Sequence, residues 1–122
     1  MSEAIRSYQD LIVWQKAMVL IDEVDVVVES LSRYHRSWLG LQLHRAALPV
    51  ASNIAEGHAS DYRPVYLRQL SSARGSLAEA ETQLLVTQRR RYPRALNPEA
   101  ALLLTPEIGR MVRALSSRLR RC

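Results

Sequence analysis

Leu41-Gln-Leu-His-Arg-Ala-Ala-Leu-Pro-Val-Ala-Ser-Asn-Ile-Ala-Glu-Gly57 is the stretch around which the rest of the chain is read. Leu41, Ala47, Leu48, Ala51, Ile54 and Ala55 recur at three- and four-residue steps, the spacing of one buried helical face. Pro49 stands in the middle, where it lacks a backbone donor and crowds the carbonyl four residues back, so a kink is expected there. Ser52, Asn53 and Glu56 set polar groups among small apolar ones, and Gly57 offers a C-terminal stop. A proline-kinked, alanine-rich helix with a polar seam is a packing element. It contains no recognisable reaction centre.

On the N-terminal side, Ser32-Arg-Tyr-His-Arg-Ser37 reads as a short polar connector, with Ser37 capping the helix that follows. Before it, a first helix is expected over about 10–31, with N-cap candidates between Ser7 and Asp10. Leu11, Trp14, Met18, Ile21 and Val28 share its broad apolar face. The opposite arc carries Gln15, Lys16, Asp22, Glu23, Asp25, Glu29 and Ser30. Within that polar arc lie Ile12, Val19 and Val26, seven residues apart. Such a row is either a set of ordinary surface hydrophobes or a second apolar seam in contact with another subunit, and the breadth of apolar surface on this helix favours the seam.

On the C-terminal side, Asp61 is the expected N-cap of a third helix over about 62–92, with Pro64 in its first turn, where proline costs least. Tyr66, Leu70, Ala73, Leu77, Ala80 and Leu84 form its seam. Ser71, Ser72, Ala73, Gly75 and Ser76 make its middle narrow, which predicts close approach of a neighbour around Gly75. Asn97-Pro98-Glu99 opens a fourth helix over about 98–120, with the seam Ala101, Leu104, Ile108, Met111, Leu115 and Leu119. Pro106 predicts a kink or a split into two shorter helices, Thr105 capping the restart. The expected architecture is all-α: one domain over 1–122, an up-down-up-down antiparallel four-helix bundle with the second and fourth helices bent at Pro49 and Pro106.

Composition narrows the function. The 122 residues suffice for one core, and 48% apolar with 24% charged residues is ordinary globular composition. Apolar runs are interrupted by Lys16, Asp22, Glu23 and Asp25, so no membrane span is expected. The start, Met1-Ser-Glu-Ala-Ile, lacks a signal peptide's basic and apolar segments, and the one cysteine, Cys122, cannot make an internal disulfide. Cytoplasm is the default location. Net charge is +5, unevenly spread. Residues 1–32 carry six acids against Arg6 and Lys16, a net −4, whereas 33–122 carry fifteen arginines against six acids, a net +9. That asymmetry suits a polyanion partner, or an acidic face meeting a basic one in an assembly.

Three separated motifs, in order, carry a resemblance. They are Asp10-Leu-Ile-Val-Trp-Gln-Lys16; then Gln42, Arg45-Ala-Ala47, Pro49 and Ser52-Asn-Ile-Ala-Glu-Gly57; then Ala73-Arg-Gly-Ser-Leu-Ala-Glu79 with Glu81-Thr-Gln-Leu84. From about Tyr8 to Tyr92 the chain resembles the bacterial four-helix bundle family. That family includes proteins encoded in intervening sequences of 23S ribosomal RNA and the accessory variability proteins of diversity-generating retroelements. Beyond Tyr92 the likeness is one of pattern, through Ile108-Gly-Arg-Met111. The resemblance implies a homopentamer with basic surfaces, and for retroelement members a nucleic acid and a reverse transcriptase as partners. The sequence leaves open whether this chain belongs to an rRNA insert, a retroelement or neither.

Candidate chemistry is sparse. His35, His44 and His58 lack ligand spacing, Glu79 and Glu81 diverge on a helix, and no phosphate loop or nucleophile–base arrangement is present. No cofactor, no metal and no enzyme are expected. Positions equidistant from a turn stand level in antiparallel helices, which pairs Glu56 with Arg63, Asn53 with Tyr66, Arg45 with Arg74 and Glu23 with Arg45. These form a structural polar seam that fixes register. Arg89, Arg90, Arg91, Arg94, Arg110, Arg113, Arg118, Arg120 and Arg121 face only Glu99 and Glu107 in the last 36 residues, more basic charge than solubility needs. Without interleaved aromatics, such an arginine-rich end would grip RNA or DNA phosphates and read little sequence. The residues therefore support two functions: an oligomeric nucleic-acid-binding module, or an oligomeric adaptor for a protein partner such as a reverse transcriptase.

Overall fold

In a computed structural model the chain is described over residues 4–121. Met1, Ser2, Glu3 and Cys122 lie outside the described residues, as do the expectations placed on the chain's start and on Cys122. Ser7 and Asp10 close a capping box on a 3-10 turn, Tyr8–Asp10. Four helical rods follow. The first is α1, Ile12–Ser30. The second, α2, begins as Arg33–His35, widens into a π-helical turn over Arg36–Gly40, and continues as Leu41–Ala59. The third and fourth are α3, Arg63–Arg90, and α4, Glu99–Arg121. Short connections make successive helices antiparallel, and each packs on two neighbours: α2 and α4 on α1, and α2 and α4 on α3. This is a four-helix bundle.

The core is aliphatic. Leu20, Leu43, Ile54, Leu70, Leu84 and Ile108 are fully enclosed, each contributing about 1.5–3 kcal/mol of apolar burial. The α3 seam lies where its spacing put it: Leu70, Ala73, Leu77, Ala80 and Leu84 are buried, with Tyr66 half-buried at the end. Elsewhere the buried stripe is rotated from the expected one. On α1 it runs through Val13, Ala17, Leu20, Val24 and Val28, leaving Met18 exposed. On α2 it runs through Leu43, Ala46, Ala47, Val50, Ala51, Ile54 and Gly57, leaving Leu41 and Leu48 in solvent. Both helices are apolar over more than one stripe, so spacing alone does not fix which stripe turns inward. On α4, Ala101, Thr105, Ile108, Val112 and Ser116 are buried, while Leu104, Met111, Leu115 and Leu119 pack at the margin.

Several local expectations are overturned. The polar stretch after Ser32 is helix, not connector: Ser32, not Ser37, is the cap, its Oγ accepting from the His35 amide, while Ser37 Oγ donates to the Tyr34 carbonyl. Gly57 does not stop α2, which runs to Ala59. It is a contact point instead, because a Cβ there would stand 2.8 Å from Tyr66 Cδ1. Asp61 does not cap α3. Its φ of 56° is left-handed and Tyr62 holds the N-cap position, although Pro64 does sit in the first turn. Nor is Gly75 a point of close approach, for a Cβ there would meet nothing within 4 Å. The tight interface lies nearer the α2–α3 turn.

Both prolines lie inside uninterrupted helices, so α4 is one helix, not two. Thr105 is buried and caps no restart. Its hydroxyl donates to Glu81 Oε2 on α3 at 2.6 Å and stands 3.5 Å from the Leu102 carbonyl, the acceptor that Pro106 deprives of its amide partner. Among the described residues, no helix is long and apolar enough to cross a membrane.

Candidate nucleic-acid interface

In an antiparallel bundle the first and third connections share one end. Here the Leu96 amide donates to Ser30 Oγ at 2.9 Å, pinning the α3–α4 connection against the end of α1. The helical start of α2 is therefore set beside the end of α3. Arg33 and Arg36 join Arg89, Arg90, Arg91 and Arg94, and all six side chains are exposed, with Glu29 and Glu99 as the flanking acids. These six arginines come from two segments more than fifty residues apart in sequence.

Aromatic rings lie among them. His35 packs on Tyr92 with centroids 3.9 Å apart, and its Nδ1 is 2.9 Å from Ser32 Oγ. Tyr34 meets the His35 edge at 5.2 Å, and Trp38 stands edge-on to Tyr92 at 6.5 Å. The π-helical turn holds Trp38 here while turning Leu39 and Gly40 into the core. Tyr34 is 71% exposed and Trp38 42%, large values for aromatic side chains. Tyr92 also lines a shallow depression with Arg89, Arg91, Asn97 and Pro98. The basic end is thus interleaved with aromatics, against expectation: Tyr92 stands between Arg91 and Arg94, Tyr34 and His35 come from the segment read as a connector, and Trp38 follows it.

Backbone conformation at this end is unusual. Arg91 and Arg94 have φ of 49° and 68°, left-handed values that disfavour any residue with a Cβ. Arg91 is the C-cap of α3, a place usually filled by glycine or asparagine. Two arginines are kept where glycine would be easier.

The other arginines lie elsewhere. Arg110 and Arg113 line a groove between α3 and α4 with Arg74 and Gly75, half-way along the bundle. Arg118, Arg120 and Arg121 are at the far end of α4, whose 23 residues span about 33 Å at 1.5 Å per residue. Arg118 lies close enough to Tyr66 to pull its phenol pKa down, against the larger effect of burial, which raises it. The nine arginines singled out by sequence therefore form no single patch. They divide into an end cluster, a groove pair and a cluster at the opposite end.

A family model described as 23S rRNA-intervening sequence protein matches residues 9–114. The chain belongs to that family. No curated protein matches it. The family span takes in all six arginines of the aromatic end and stops short of Arg118, Arg120 and Arg121.

The remaining polar groups serve the bundle. Asp25 Oδ1, not Glu23, reaches α2, and it meets His44 Nε2 at 2.7 Å, while Arg45 stays exposed and unpaired with Glu23. Glu56 accepts from Gln69 Nε2 of α3 at 2.7 Å. Asn53 and Tyr66 are half-buried without a hydrogen bond between them, and Tyr66 packs instead on Gly57 and His58. Arg45 and Arg74 both point outward. Equal height along the bundle axis leaves rotation about each helix free, so Asp25 and His44 meet where Glu23 and Arg45 stand level. Lys16 Nζ pairs with Glu107 at 2.8 Å, tying α1 to α4. The three histidines go to three places: His35 to Tyr92, His44 to Asp25, His58 to Tyr66.

Proposed function

We propose that this protein is a non-enzymatic, oligomeric bundle that binds nucleic acid through phosphate contacts. The six-arginine end is the main grip. The observation that carries the reading is the convergence of Arg33 and Arg36 with Arg89, Arg90, Arg91 and Arg94 on one exposed end. Guanidinium groups bind phosphate oxygens bidentately, and six close together raise the local potential for a polyanion. Membership of a family named for an rRNA insert fits such a partner.

Affinity for RNA and DNA, measured across a salt series, tests it. Each phosphate contact contributes a slope of about 0.9 on duplex DNA, or about 0.7 on a single strand, in log affinity against log salt. Neutralising Arg89, Arg90 and Arg91 together should lower both affinity and slope. Absence of binding to either polymer at low salt rejects the proposal.

A second element of the reading concerns assembly. Ile12, Val19 and Val26 are 59%, 44% and 50% exposed on α1 and stand outside the hydrophobic core and the residues packed against it. This row supports self-association, and the family resemblance implies a pentamer. The same row supports the alternative function, an adaptor that docks a protein such as a reverse transcriptase. That function predicts tight protein binding with no steep salt dependence toward nucleic acid.

A further inference from the structure

We infer that the aromatic end takes unpaired bases, so the occupant is a single-stranded polynucleotide rather than a duplex. This rests on the reading that the six-arginine end binds nucleic acid. Tyr34, His35, Tyr92 and Trp38 form a contiguous string, each ring within 6.5 Å of the next. The two outer members, Tyr34 and Trp38, are the more exposed ones. A solvent-facing tyrosine and tryptophan are poor choices for a helix end that needs only solubility. They suit an apolar ring that covers them when bound. Both segments bring arginines to the string: Arg33 and Arg36 bracket Tyr34 and His35 in the chain, and Arg89 and Arg91 line a depression with Tyr92.

Such an arrangement matches the chemistry of one strand. A single strand offers phosphates on one edge and free base faces on the other, and each base stacked on an aromatic ring adds about 1–3 kcal/mol. In a duplex the base faces are already stacked, and the rings would meet sugar and phosphate instead. Stacking uses a face that every base has, so little sequence is read. Nothing in the string addresses the 2′-hydroxyl, so ribose and deoxyribose strands should bind alike.

The experiment is fluorescence anisotropy with a short unstructured oligonucleotide, its ribose counterpart, and the duplex of the same sequence, compared at matched salt and repeated across a salt series. The expected result is tighter binding of both single strands than of the duplex. Tyr34→Ala and Trp38→Ala should each weaken single-strand binding by roughly fivefold to a hundredfold, the loss of one stack. Tyr34→Phe should restore it, and the salt slope should not change, since no phosphate contact is removed. Tyr34 is so exposed that its alanine variant carries no folding penalty, and circular dichroism verifies the fold of the Trp38 variant. A duplex bound as tightly as the strand overturns the inference. So does single-strand affinity untouched by both alanines while loss of Arg89, Arg90 and Arg91 still weakens it; in that case the phosphate grip stands alone. If no polynucleotide binds, the underlying proposal fails first.

Discussion

Gly57 on α2 lies directly against Tyr66 on α3, so close that a methyl group at position 57 would stand 2.8 Å from the ring and 3.3 Å from the Tyr66 Cα. The second distance matters more, because a ring can turn aside and a backbone cannot. Gly57→Ala should therefore destabilise the bundle by about 1–3 kcal/mol, overpacking outweighing the gain of about 1 kcal/mol from better helix propensity. Gly75 provides the opposite case within the same pair of helices, since a Cβ there meets nothing within 4 Å. Gly75→Ala should stabilise by about 0.5–1 kcal/mol. Chemical denaturation of both variants checks the pair. Equal shifts in the same direction would refute the close-contact account.

Arg91 closes α3 in a left-handed conformation, and Arg94 repeats that conformation three residues on. A residue with a Cβ is strained there by about 1–2 kcal/mol. Part of that returns through the greater freedom of glycine in the unfolded chain. Arg91→Gly should accordingly raise stability by up to about 1 kcal/mol while weakening polynucleotide binding. A variant that is more stable and binds less well marks a residue kept for its charge. Unchanged binding would show that Arg91 lies outside the grip.

The sequence was most legible where spacing alone decides the outcome. On α3 the spacing from Leu70 to Leu84 matches the buried seam residue by residue, because between those two positions the residues off the stripe are polar or small. α1 and α2 have apolar residues on more than one face, so periodicity does not say which stripe turns inward, and Met18, Leu41 and Leu48 face solvent rather than the core. The aromatic end was missed for a different reason. Ser32 to Ser37 contains no apolar repeat and reads as a loop, yet the Ser32 cap and the π-helical turn make it the first turns of α2. One signal was available. Antiparallel topology by itself puts residues 31–38 and 89–97 at the same end, which would have brought Arg33 and Arg36 to Arg89 and Arg94.

Tyr66 gives the bundle an alkaline limit. Burial against Gly57 raises its phenol above the ordinary 10.0, and the Arg118 guanidinium opposes this less strongly. The folded state therefore favours the neutral phenol. That contribution is complete below pH 10.0 and is lost as pH rises through the folded value. In a spectrophotometric titration of the five tyrosines, a late step above the ordinary phenol value should appear, and Tyr66→Phe should abolish it. Replacing Arg118 with glutamine should move it later still. A single common midpoint for all five would contradict the assignment.

Ile12, Val19 and Val26 line the exposed side of α1 at heptad spacing, between Gln15, Asp22, Asp25 and Glu29 on one flank and Lys16 and Glu23 on the other. Val19 is the middle of the three and is nearly half exposed, so a charge there has water to face in an isolated bundle. In an assembly built on this row, the same charge would be buried without a partner, at a cost of several kcal/mol. Val19→Glu should therefore leave the helical content and thermal stability of the single bundle almost unchanged and convert the oligomer to monomer in sedimentation. Met18→Glu, one residue away on a face outside the row, serves as the control and should leave the assembly intact. If the unmodified protein sediments as a monomer at micromolar concentration, or if Val19→Glu assembles as before, the α1 row is not the contact between subunits.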